Sequence, residues 1–170
     1  INADGGVKVG SCDGFKNTTG ITDKTITVAN IADISGPVPG IFESAQQATR
    51  AYFEYFNSTN SVCGRKISVT LLDSRADAGA DQQGSVKACE SAFAAIGSMS
   101  AFDSGGANTM EKCGLPDLRA VRVNPERQNC KTCFATYSVR TNLIPDAGSK
   151  WFASKFPEAV KNAAMIYING

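Results

Sequence analysis

Six cysteines and no histidine set the chemistry open to this chain. Without an imidazole there is no Ser-His-Asp or Cys-His nucleophile, no histidine metal site and no histidine proton switch. Cys130-Lys131-Thr132-Cys133 has the C-x-x-C spacing of thiol–disulfide enzymes. In such an enzyme the first cysteine opens a helix, whose dipole lowers the thiol pKa. Here Phe134-Ala135-Thr136-Tyr137-Ser138-Val139 follows, which is a strand pattern. The structural reading, a small disulfide loop or two separate bridges, is therefore preferred. A four-cysteine zinc site needs a second C-x-x-C, which the sequence lacks. Asp73, Asp77 and Asp81 lack the spacing and central glycine of an EF-hand, and a strand end followed by a helix cap accounts for them better.

Three polar loops are better placed to hold a ligand. Ser35-Gly36-Pro37-Val38-Pro39-Gly40 leads into a helix, and offers unpaired N–H groups and the positive end of the helix dipole to a carboxylate, a phosphate or a polar small molecule. It has neither G-x-G-x-x-G nor Walker A spacing, which argues against a nucleotide. Ser98-Met99-Ser100-Ala101-Phe102-Asp103-Ser104-Gly105-Gly106 gathers hydroxyls, a carboxylate and glycines after a third strand, and Asn124 and Glu126 follow a fourth. Each loop alone reads equally well as a solvated turn. Their convergence on one rim is what suggests a cleft.

The elements that carry these loops alternate. Thr25–Ala32 is a strand, residues 41–57 a helix, and 66–73 a second strand. Strand, crossover helix and strand make a βαβ unit and imply a parallel sheet, which binds ligands beyond the carboxyl ends of its strands. Ala45, Ala48, Tyr52, Tyr55 and Phe56 share a helical face and are expected to be buried. Asp77 or Asp81 caps a second helix that runs to about Ser91. Ala92–Ile96 reads as a buried strand, 103–109 as a polar loop, and 107–113 as a short helix. Arg119–Asn124 and Phe134–Val139 are two more strands. A helix from Pro145 contains Trp151, Phe152 and Phe156, and Ala163–Ile168 is one further buried strand. That strand has no following helix before Gly170, so the sequence reads as truncated there. Residues 1–24, rich in Gly, Asn, Ser, Asp and Thr, are an extended arm tied down by Cys12.

Over 170 residues, 42% are apolar and 19% charged, with a net charge of +1, which suits a soluble globular protein with a real core. The dispersed charge points to neither nucleic acid nor a membrane surface. No apolar run reaches the roughly 20 residues of a membrane span. No signal peptide is visible, so the sequence starts at or after a mature end. The even cysteine count suits an exported, disulfide-bonded protein. Cys89 and Cys113 lie on helices that flank adjacent strands and can bridge; Cys12 then pairs with Cys63 by elimination.

The run from Ile26 through Ser35-Gly36-Pro37, Phe56-Asn57 and Gly64-Arg65-Lys66-Ile67 to Asp73 resembles the first lobe of solute-binding proteins of the branched-chain amino acid ABC-importer type. Cys89 with Cys113-Gly114-Leu115-Pro116 is similar to a helix-to-helix cysteine pair of some exported members, and Arg140-Thr141 to the first crossing between lobes. The chain departs from the pattern at Ser100–Gly105, at Val123–Arg127 and at Ile41-Phe42.

The resemblance implies a Rossmann-like three-layer αβα lobe with a mostly parallel sheet over 25–140, then a crossing segment and the first helix and strand of a second lobe over 141–170. It implies a non-enzymatic, extracytoplasmic component of an ABC transporter that closes two lobes around a small polar solute, an amino acid or a related compound. The protein would be secreted, periplasmic or at the cell surface, with a lipid anchor as one option, and would dock on a membrane permease as a monomer without a cofactor, metal or nucleic acid. Ligand contacts would come from Ser35, Gly36, Pro37, Phe42, Ser100, Phe102, Asp103, Ser104 and Asn124. A sensor ectodomain of the same fold is the alternative. A thiol–disulfide oxidoreductase using Cys130 and Cys133, or a flavodoxin-like cofactor protein, is less favoured.

Overall fold

A run of β-branched and small residues, Thr25–Ala32, forms β1, whose residues 28–32 are all buried. A strand buried on both faces belongs at the centre of a parallel sheet. The computed structural model, which describes residues 12–164 and 166, places it there. The sheet order is β2-β1-β3-β4-β5, with β2 at Lys66–Asp73, β3 at Ala94–Ile96, β4 at Asp117–Arg122 and β5 at Cys133–Ser138. Each neighbouring pair runs parallel. Helices α1 (Glu43–Thr59), α2 (Ala78–Ser91), α3 (Ser104–Cys113) and α4 (Pro125–Asn129) connect them. The expected parallel α/β architecture holds.

The helices lie on both faces. Ala29 and Ile31 of β1 point into an apolar core with Ala88 of α2 and Ala107 and Met110 of α3. Asn30 points to the other face, where its Nδ2 donates to Thr49 Oγ1 of α1 at 3.1 Å and to Ile96 O at 2.9 Å.

The buried stripe of α1 differs from the expected one. Gln46, Thr49 and Phe53 are buried, whereas Tyr52 and Tyr55 are 57% and 70% exposed. The stripe is turned by one residue, about 100°. Polar groups decide the register: Gln46 Nε2 donates to Leu72 O at 2.8 Å, and Thr49 accepts from Asn30. These bonds satisfy groups that apolar packing would strand.

Other boundaries shift slightly. α3 begins at Ser104, so residues 104–106, expected in the loop, are already helix, and β3 starts at Ala94 rather than Ala92. Helix α4 was not expected. Asp77, not Asp81, caps α2, accepting from Ala80 N at 2.7 Å. The cysteines pair as Cys12–Cys63, Cys89–Cys113 and Cys130–Cys133.

The α1 side of β3, β4 and β5 lies open. Ile96, Leu118 and Phe134 align across the three strands, and Leu118 and Phe134 are 49% and 57% exposed. With Gly97, Ala120 and Thr136 they floor a cleft of about 560 Å³.

The chain divides after Val139 into two compact units. Within the second, α5 (Ala147–Lys155) and α6 (Pro157–Val160) bring Phe156 to 6.3 Å from Trp151 and 5.1 Å from Phe152, ring centre to ring centre. The strand expected at 163–168 lies partly outside the described residues, and Ala163, Ala164 and Ile166 are not in a strand. The arm's first eleven residues lie outside them too. No helix among the described residues is long and apolar enough to cross a membrane.

Candidate functional site

In a sheet ordered 2-1-3-4-5 the strand order reverses between β1 and β3, and ligands of such sheets bind in the crevice beyond the carboxyl ends at that point. Four loops meet along this rim, after β1, β2, β3 and β4. Three aspartates stitch them together.

Asp33, directly after β1, is fully buried. Its Oδ1 accepts from Ser74 Oγ at 2.5 Å and Ala76 N at 2.9 Å in the loop after β2. Its Oδ2 accepts from Ala101 N at 2.8 Å in the loop after β3.

Asp73 ends β2 and holds the loop after β1. Its Oδ1 accepts from Ile34 N, Ser35 N and Arg75 N at 3.1, 3.2 and 2.9 Å, and Ser35 Oγ donates to its Oδ2 at 2.6 Å. Partial burial pulls the Asp73 pKa upward, but the Ser35 hydroxyl and the three amides outweigh it, so the carboxyl lies below its ordinary value.

Asp103 precedes α3 and holds the loop after β4. It accepts from Val123 N and Asn124 N, both at 2.9 Å, and from Asn124 Nδ2 at 2.8 Å. Asn124 Nδ2 also donates to Ala101 O at 2.9 Å.

Beneath Asp103 sits a buried cluster of charge. Arg127 Nε donates to Asp103 O at 2.8 Å, its Nη2 to Asp81 Oδ2 at 2.8 Å and its Nη1 to Asp117 Oδ2 at 3.0 Å. Arg119 Nη1 donates to the same Asp117 oxygen at 3.2 Å, and its Nε lies 3.9 Å from Asp103 Oδ2. All five side chains are fully buried. Burial pushes the Asp81 carboxyl upward, against the pull of Arg119 and Arg127.

The expected ligand residues divide into two groups. Ser35, Gly36, Pro37, Phe42, Phe102, Ser104 and Asn124 have surface at the rim. Ser100 and Asp103 have none, so here they build the rim rather than line it. Ser35 already directs its hydroxyl and its N–H at Asp73. Gly36, at φ +103°, could not carry a Cβ, which would fall 2.2 Å from Arg75 O. Its role is the close approach of two loops. Gly106, expected in a flexible loop, is instead a helical contact: its N–H donates to Asp81 Oδ2 at 2.9 Å, and a Cβ there would fall 1.9 Å from Ser85 Oγ.

What stays available includes main chain and a hydroxyl. Ala101 O is turned to Asn124, and a trans peptide directs the next N–H to the opposite side. Among the described residues no acceptor meets the Phe102 N–H, and none meets the Ser104 hydroxyl. The rim offers donors for a small polar ligand. The carboxylates of Asp33, Asp73 and Asp103 are already occupied by main-chain and side-chain donors.

Sequence reasoning missed Asp33 and the two buried arginines. The arginine on β4 had a signal. Asp117, Arg119 and Val121 share one face of the strand, so period-2 alternation puts both charges inside with the valine. The C-x-x-C follows α4 instead of opening a helix, and Cys130 and Cys133 are buried in the core. This geometry removes the basis for a thiol enzyme. Among the described residues no cluster of three or more Cys, Asp or Glu side chains could hold a metal.

Comparisons with known proteins agree with this architecture. The chain resembles a fatty acid ABC transporter substrate-binding protein from Thermomonospora curvata at a TM-score of 0.61 and 22% identity, covering 82% of this chain and 36% of that one. A branched-chain amino acid transporter substrate-binding protein, LivJ from Streptococcus pneumoniae in complex with isoleucine, gives 0.58 and 14%, over 66% and 33%. The leucine-binding protein LivK from Thermotoga maritima gives 0.56 and 20%, over 76% and 37%. All three are named as binding proteins and none as an enzyme. At these identities the likeness shows the fold, that of a lobe of a type I periplasmic binding protein. The chain spans only about a third of the length of each. No curated protein sequence matches it. The family described as periplasmic binding protein matches residues 25–170, and the chain belongs to that family.

Proposed function

We propose that this chain is the first lobe and the beginning of the second of an extracytoplasmic solute-binding component of an ABC transporter. Residues 25–140 form the lobe, and 141–170 the crossing segment and the start of its partner lobe. The solute is small and polar, an amino acid or a related compound, and it docks on the rim between β1 and β3. Binding is physical: the Phe102 N–H, the Ser104 hydroxyl and exposed loop groups of Ser35–Pro37 and Phe42 meet the solute's polar atoms. The opposing lobe completes burial by closing. The complete protein acts as a monomer outside the cytoplasm, whether free or lipid-anchored, and delivers solute to a membrane permease.

One observation carries this reading. Ala101 is gripped on both sides, by Asp33 at its N–H and by Asn124 at its carbonyl, while among the described residues the Phe102 N–H that follows has no acceptor. Calorimetric titration of the complete protein with L-leucine, L-isoleucine and palmitate tests it. The expected result is saturable binding of an amino acid, at least about 100-fold tighter than by the 170-residue chain, equivalent to about 2.7 kcal/mol. Equal affinity for both, or tight binding of palmitate alone, contradicts the reading.

A further inference from the structure

Asp33 stands at the point where the strand order reverses, and it ties together the loops after β1, β2 and β3. Its two carboxylate oxygens hold Ser74 and Ala76 on one side and Ala101 on the other. Its main chain adds two ties. Its N–H donates to Met99 O at 3.3 Å, and its carbonyl accepts from Phe42 N, just before α1, at 3.1 Å. A fully buried carboxylate is costly unless donors meet its oxygens. Here three donors from two other loops do so. The same three loops could be joined more cheaply by apolar contact, so the carboxylate's distinctive effect is geometric: it fixes where the Ala101 N–H points.

We propose that Asp33 is the positioning residue of the solute site. By holding the Ala101 N–H, it anchors Ala101 on one side while Asn124 holds the Ala101 carbonyl on the other, and together they present the Phe102 N–H to the solute. This rests on the solute-binding reading above. Asp33 itself never touches solute, because it has no exposed surface.

Asp33→Asn isolates the effect. The amide keeps the side chain's shape but replaces one acceptor oxygen by an NH2 group that only donates. Turned so that its oxygen keeps both Ser74 and Ala76, it places an NH2 against the Ala101 N–H, donor facing donor. Ser74→Ala is the control, because it removes one donor to Asp33 and leaves the Ala101 bond intact.

The experiment has two arms. In the first, amide NMR and hydrogen exchange of the ligand-free 170-residue chain are compared among wild type, Asp33→Asn and Ser74→Ala. The expected result is an Ala101 amide protected in wild type and in Ser74→Ala, with Ala101 and Phe102 resonances displaced only by Asp33→Asn. A rapidly exchanging wild-type Ala101 amide overturns the proposal even if the variant fails to fold. In the second arm, whichever of L-leucine, L-isoleucine or palmitate binds the complete protein is titrated into the three forms. Asp33→Asn is expected to weaken binding at least tenfold, and Ser74→Ala less than twofold. Equal losses in both variants reduce Asp33 to a stability role and overturn the proposal. If none of the three binds wild type, the solute-binding reading fails, while the first arm still decides whether Asp33 holds Ala101.

Discussion

Asp103 shows how a buried carboxylate shapes the rim without touching it. It accepts from Val123, Asn124 and the Asn124 side chain, and lies against Arg119. Asp103→Ala frees that loop and removes the carboxylate that lies 3.9 Å from the buried Arg119 Nε. We expect a loss of about 3–5 kcal/mol, read by chemical denaturation, the range for breaking one partner of a buried pair. A loss under about 1 kcal/mol, the usual ceiling for an exposed pair, contradicts the assigned role.

Asp73 and Asp81 titrate in opposite senses. Asp73 has its folded pKa below the ordinary aspartate value of about 3.9. Its stabilising share is therefore present above that value and disappears as pH falls through the folded pKa. Asp81 has its folded pKa raised. Its proton is bound more tightly in the native state, so its share is present below about 3.9 and is lost as pH rises through the folded value. Carboxyl carbon NMR titration is expected to place Asp73 below the ordinary value and Asp81 above it. The reverse order would show that the two environments are misassigned.

Among the elements, the βαβ unit from β1 to β2 was legible because two alternating strands flank a helical period and each connection carries turn residues. Helix α1 was legible in extent but not in orientation. Its apolar count favoured Ala45, Ala48 and Tyr52, yet Gln46 and Thr49 face the sheet because they satisfy Leu72 O and the Asn30 amide. The partner groups lie 19 and 26 residues away, beyond any local pattern. Helix α4 escaped notice because five residues show less than two turns of a period.

The open face of β3 to β5 makes a prediction at this scale. Leu118→Lys, placed on that face, is expected to change the stability of the 170-residue chain by less than about 0.5 kcal/mol. Met110→Ala, in the core beneath, is expected to cost about 2–5 kcal/mol. Equal costs in urea titrations would mean that Leu118 is covered in solution.

Across the whole molecule, the disulfides differ in how much chain they constrain. Cys12–Cys63 and Cys89–Cys113 close separations of 51 and 24 residues, and Cys130–Cys133 only 3. On the chain-entropy model these contribute about 4, 3 and less than 2 kcal/mol. Paired cysteine-to-alanine variants are expected to lose stability in that order in thermal melts, and a largest loss at Cys130–Cys133 contradicts the ranking.

The parallel architecture was legible because alternation of strand and helix leaves few topologies. The rim's location followed from strand order. Its construction did not, because Asp33 reaches Ala101 across 68 residues and Asp103 reaches Asn124 across 21. Nothing in the local pattern around Asp33 distinguishes a knot from a strand end.

The central claim is that the carboxyl-end rim between β1 and β3 is one wall of a solute site. A crystal structure of the complete protein with its solute bound tests it directly. We expect a polar solute atom within about 2.7–3.2 Å of Phe102 N, with further contacts from Ser104 and the 35–42 loop. A solute held elsewhere, with none of residues 33–42 or 97–104 in contact, would contradict the claim.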